Sequence, residues 1–172
     1  MESKPFIFGV ATSGDNFTDR EKETARLLSN FQHGVNTVLI SPRRWGKTSL
    51  VQKVCRLTQS DKLKIVYLDI FLCRSDEDFY NAFAAAVLKQ TSSKWDEWVE
   101  NAKLFLSRIS PRISLGPDPM SDFSISLELN PKSDDIDEIL QLPEKIAQKK
   151  GINIVVCIDE FQQIAEFKDS KM

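Results

Sequence analysis

Two stretches of the chain carry side chains whose types and spacing could do phosphate chemistry. The first is Ser41-Pro42-Arg43-Arg44-Trp45-Gly46-Lys47-Thr48-Ser49. It lies between an apolar run, Thr37-Val38-Leu39-Ile40, and an amphipathic segment from Leu50 to Leu57. Strand, small-residue loop, Gly-Lys-Thr and helix is the order that a phosphate-binding loop requires. In such a loop successive backbone N–H groups curl around a β-phosphate, and the helix N-terminus behind them adds roughly half a positive charge. Gly46 lets the backbone approach without a Cβ in the way, Lys47 reaches the β- and γ-phosphates, and Thr48 offers its hydroxyl to Mg²⁺. Ser41 departs from the pattern, which wants Gly at that position; the tight turn can still be made at Ser41-Pro42. Arg43 and Arg44 have two readings, contact with phosphate or a neighbouring subunit, or plain solvated charges on the loop's outer face.

The second stretch is Ile152-Asn153-Ile154-Val155-Val156-Cys157-Ile158-Asp159-Glu160, an apolar strand that ends in two carboxylates. Downstream of a phosphate-binding loop, an Asp in that place bonds Mg²⁺ or a water in its shell. The adjacent Glu is placed to orient and deprotonate an attacking water. Carboxylates also favour any helix N-terminus, so the pair alone would be weak. Together the stretches define an expected site. Residues 41–49 cradle the phosphates of a nucleotide, Thr48 and Asp159 serve Mg²⁺, and Lys47 and Glu160 do the chemistry.

Positioning these groups needs an α/β framework. Thr18-Asp19-Arg20-Glu21 reads as a capping box that starts a helix with Ala25, Leu27, Leu28 and Phe31 on its apolar side, ending near His33-Gly34. Leu63 to Phe71 reads as a buried strand of a parallel sheet, with Asp69 near its C-terminal end, where open α/β sheets place ligands; Asp69 either stands near the site or only binds local backbone. Ser75 caps the next helix, whose Phe79, Ala82, Phe83, Ala86 and Val87 share one face. A further helix runs from about Ser93 to Ile109, its Trp95, Trp98, Val99, Ala102 and Phe105 spaced as core. Residues 111–130 change period to strand, turn, strand, a β-hairpin set into the α/β chain. A helical stretch from Ser133 to Lys149 is interrupted at Pro143, and Gly151 ends it. Phe161 to Lys168 reads as helix.

Composition sets the remaining bounds. The chain has 172 residues, enough for one domain with a real core. With 41% apolar and 28% charged residues it reads as an ordinary globular protein. Its net charge of −2 argues neither for nor against nucleic acid. No apolar run approaches the roughly 18 residues of a membrane span, and the N-terminus lacks a signal-peptide core, so a cytoplasmic protein is expected. Cys55, Cys73 and Cys157 form no C-x-x-C pair and read as small reduced hydrophobes.

Thr18-Asp19-Arg20-Glu21, Pro42-Arg43-Arg44 ahead of Gly46-Lys47-Thr48, and Ile158-Asp159-Glu160-Phe161-Gln162 together resemble the archaeal-type ATPase group, over nearly the whole chain. That resemblance implies an AAA-like P-loop core, three-layered and Rossmann-like with a parallel sheet, that binds ATP and Mg²⁺. It also implies that the Asp-Arg-Glu helix lies near the adenine side. In that group a further strand follows the Asp-Glu strand and lies between it and the P-loop strand, carrying a γ-phosphate sensor, and a helical lid comes after. The chain stops at Lys171-Met172 without them, so the expectation is an N-terminal fragment, truncated after the Asp-Glu strand.

Three function classes compete. The first is an ATP hydrolase. The second is a nucleotide-dependent switch with little turnover, favoured by the lack of an identifiable arginine finger. The third, a small-molecule P-loop kinase, lacks an arginine-rich lid. No Asn-Lys-x-Asp or Thr-Lys-x-Asp segment supports guanine recognition. A homo-oligomer, and a DNA or protein partner met through domains outside this chain, stay open.

Overall fold

The computed structural model describes residues 20–42, 45–93, 95–106, 112–115, 125–128 and 136–167. The chain divides into two compact units, residues 1–60 and 61–172.

The first unit holds two helices, α1 (Glu21–Gln32) and α2 (Lys47–Thr58). Leu27, Leu50 and Val54 form its small core, with Leu28, Phe31 and Val51 packed on them. The end of α1 follows from Gly34, which takes φ 66° so that the Val35 N–H turns back to the Asn30 carbonyl at 2.9 Å. Arg20 sits in the N-cap place of α1 and makes no side-chain cap bond; the expected cap, Thr18, lies outside the described residues.

The strand expected at Thr37–Ile40 is not formed. Residues 35–42 belong to no strand, and Val38 and Ile40 are 83% and 92% exposed. β-branched residues favour a strand only where a neighbour supplies ladder hydrogen bonds and a face to pack on. Among the described residues no strand pairs with this segment.

In the second unit β1 (Leu63–Asp69) and β4 (Asn153–Asp159) form a parallel pair, in register from Leu63↔Asn153 to Asp69↔Asp159. The period of two divides their side chains between faces. Val66 and Leu68 with Ile154, Val156 and Ile158 point to the core. Tyr67 and Asp69 share the opposite face with Cys157 and Asp159.

Helices α3 (Asp76–Thr91), α4 (Trp95–Phe105), α5 (Ile136–Leu140) and α6 (Leu142–Lys150) supply the rest of that core. Phe79, Phe83, Val87 and Leu88 come from α3, Ala102 from α4, Ile139 from α5, and Leu142 and Ile146 from α6. Fully burying one such Leu or Ile contributes about 1.5–3 kcal/mol. Ser75 caps α3 as expected, its hydroxyl accepting the Asp78 N–H at 3.1 Å. The expected interruption at Pro143 divides α5 from α6, because Pro143 in the first turn of α6 has no N–H to continue a helix from α5. Gly151 closes α6 at φ 64°. The Trp95 and Trp98 side chains lie outside what is described.

The expected hairpin is present as β2 (Arg112–Leu115) and β3 (Ile125–Glu128), antiparallel with Arg112 opposite Glu128. Residues 116–124 between them are outside the described set. After β4 the chain makes a 3-10 helix, Phe161–Glu166, shorter than the expected helix to Lys168.

Candidate functional site

The loop before α2 is shaped by Gly46. It stands at the helix N-cap with φ 72° and ψ 27°, and its carbonyl accepts the Leu50 N–H at 2.9 Å to start the helix. A Cβ built there meets nothing within 4 Å, so backbone conformation, not space, is what calls for glycine. The first turn of α2 carries no acidic side chain, and Gly46 provides no side-chain cap. The opposite holds at α3, where Ser75 caps and Asp76, Glu77 and Asp78 fill the first turn. The α3 terminus is neutralised by its own sequence; that of α2 is not.

Lys47, the first residue of α2, folds back over the loop. Its Nζ donates to the Ser41 carbonyl at 2.8 Å and to the Pro42 carbonyl at 3.3 Å. The Ser41 hydroxyl is buried and has no hydrogen-bond partner among the described residues. Trp45 is 61% exposed, Ser49 is buried, and Thr48 is half-buried. Arg43 and Arg44 lie outside the described residues.

The carboxylates come from the second unit. Asp69 and Asp159 close the parallel ladder as its last pair, at the C-terminal ends of both strands. Asp69 Oδ1 accepts the Phe71 N–H at 2.9 Å, a local turn. Asp159 Oδ1 accepts the Glu160 N–H at 2.9 Å, and its Oδ2 accepts the Tyr67 hydroxyl at 2.5 Å. Glu160 adopts φ 55° and ψ 37°, the only described non-glycine residue with positive φ. A side chain there costs roughly 1–2 kcal/mol, and such strain gathers at functional sites. The Gln162 side-chain amide donates to Glu160 Oε2. Cys73, just beyond Asp69 and buried, has its thiol pKa pushed up, first by burial and then by the Asp78 and Asp69 carboxylates. All three cysteines are free thiols.

Lys47 is thus placed with Ser41, Pro42 and Gly46 in the first unit, and Asp159 with Glu160 in the second. Tyr67 and Gln162 were not singled out as site residues from sequence. The register that sets Tyr67 on the Asp159 face appears only in the folded sheet, and the Gln162 contact only in its side-chain conformation.

A family model described as an ATPase domain predominantly from Archaea matches residues 17–172. The chain belongs to this archaeal-type ATPase family. As a member it is an ATPase-type nucleotide-binding domain, and its mixed α/β build with a parallel pair fits a P-loop-like core. No curated protein and no solved structure matches the archaeal-type ATPase chain. Among its described residues no helix is long and apolar enough to cross a membrane.

Proposed function

We propose that this chain is the Mg²⁺-dependent ATP-binding and ATP-hydrolysing part of an AAA-like, three-layer P-loop ATPase. The observation that carries the reading is the loop before α2. A left-handed Gly46, a helix start with no acidic neighbour and a lysine resting on the loop's own carbonyls are what a phosphate group needs to find. A bound phosphate draws Lys47 Nζ off Ser41 and Pro42, exchanging neutral acceptors for charged ones.

The donors present suit Mg²⁺, a hard ion that keeps several waters and binds through one or two protein oxygens plus phosphate. Among the described residues no cluster of three or more His, Cys, Asp or Glu could hold a metal, and such an ion needs none. By motif, Thr48 in the first unit and Asp159 in the second are the residues we propose to serve it, and its positive charge would offset the negative charge of the phosphates. Residues 41–49 would cradle the phosphates. Glu160 takes a proton from water as the water oxygen bonds the γ-phosphorus. The bond from that phosphorus to the β,γ-bridging oxygen breaks, and the oxygen leaves on ADP.

A nucleotide switch with slow turnover is the second reading, favoured by one contact. The Glu160 carboxylate is engaged by Gln162, which competes with water for it. Steady-state phosphate release with Mg-ATP decides. The hydrolase reading expects turnover that falls roughly 10²–10⁴-fold in Glu160→Gln with ATP binding retained. Binding with no turnover in the native chain would give the switch reading instead.

A further inference from the structure

Resting on the reading of Asp159 as the residue that serves Mg²⁺, we infer that Tyr67 is its positioning residue. The phenol of β1 fixes the carboxylate of β4 in the orientation that meets the ion or its water shell.

The ladder register makes the contact possible. Tyr67 stands opposite Cys157, so Asp159 is the next residue on the same face of the neighbouring strand. A tyrosine is long enough to reach that diagonal neighbour. Its hydroxyl arrives 2.5 Å from Asp159 Oδ2, within the short range of O–H donors on ionised carboxylates. The second oxygen, Oδ1, is held at 2.9 Å by the Glu160 N–H. Two donors on different oxygens, one from each strand's chain segment, hold the carboxylate at both of its oxygens.

The choice of donor matters. A lysine or arginine in that place would cancel much of the charge that Mg²⁺ needs. A phenol is neutral, so it orients Asp159 and leaves its charge in place. The contrast with Asp69 points the same way. Both aspartates end the ladder side by side, yet Asp69 turns to its own backbone at Phe71 while Asp159 is held from across the sheet. Partners of this kind around metal-serving groups commonly change metal affinity by roughly 10–100-fold when removed.

The test is calorimetry of the full chain with ATP, first without metal and then over a Mg²⁺ titration, on the native protein, Tyr67→Phe, Asp159→Ala and the double variant. Thermal melts alongside report folding, and Tyr67→Phe keeps the ring. The expected result is a free Mg²⁺ requirement raised about tenfold in Tyr67→Phe, with metal-free ATP affinity changed by less than about twofold. In the Asp159→Ala background, Tyr67→Phe should add nothing. A Tyr67→Phe protein with native Mg²⁺ dependence, or an effect undiminished by Asp159→Ala, overturns the inference and leaves the ATPase reading standing. Native ATP binding that ignores Mg²⁺ overturns the metal role of Asp159 itself, and the inference with it.

Discussion

Lys150, the last residue of α6, places its Nζ 2.5 Å from Oε1 of Glu97 in α4 and also donates to the Thr91 carbonyl at the end of α3. Beside it Lys149 Nζ stands 5.3 Å from the centre of the Phe105 ring. Three helices thus meet at one pair of lysines.

That meeting point makes stability depend on acid. Glu97 has its pKa lowered from 4.5 to about 2, first by the Lys150 hydrogen bond and then by the Ser93 N–H and hydroxyl. A carboxyl whose pKa is depressed by folding stabilises fully above its unfolded value. The contribution drains away as pH falls from about 4.5 toward 2. Glu97 is partly exposed, so the effect is modest. Glu97→Gln is expected to cost about 1 kcal/mol at neutral pH and almost nothing near the acid limit. Urea melts of both proteins across that range check it.

The exposed segment before the loop yields a second expectation. Ile40→Ser should shift stability by less than about 0.5 kcal/mol, since Ile40 is solvent-facing and in no ladder. Leu88→Ala should cost about 2–5 kcal/mol, because Leu88 is fully enclosed between α3 and its neighbours. Equal losses in denaturant melts would show that residues 37–40 are packed in the folded protein.

Glu160 offers a third. At φ 55°, glycine relieves the backbone while giving up unfolded-state restriction, so Glu160→Gly should melt within about 0.5 kcal/mol of native. Glu160→Val places a branched Cβ in the same conformation and should lose about 1–2 kcal/mol. Both variants lose the proposed base, so melts and phosphate release together separate backbone strain from chemistry.

Much of the fold is legible in the chain. The apolar runs at Leu63 and Ile152, the spacing of Phe79, Phe83 and Val87, and the turn signals at Gly34, Ser75 and Gly151 all mark what the structure contains. Such signals are local, and hydrophobic period with turn chemistry decides them. Thr37–Ile40 misled because strand formation is not local: the same β-branched residues need a partner that composition does not supply. The break at Pro143 and the new helix it opens are legible too, since a missing N–H acts locally; that Ile139 and Leu142 both reach one core is not. At the site, Gly46, Lys47 and Asp159 stand out by motif. Tyr67 does not, because its role depends on which strand lies beside β1 and in what register. Gln162 depends on a side-chain rotamer, which motifs do not encode.

The most direct measurement is ATP binding by the intact chain, native against Lys47→Ala, by calorimetry in excess Mg²⁺. Among the described residues Lys47 Nζ donates to the loop carbonyls of Ser41 and Pro42, so its removal should leave the melt nearly unchanged. Native binding with at least about a tenfold loss in Lys47→Ala is the predicted result, the scale of one charge-assisted phosphate contact. A cooperatively folded native chain that binds no ATP, or binds it equally well without Lys47, would contradict the phosphate-binding loop on which the proposed function rests.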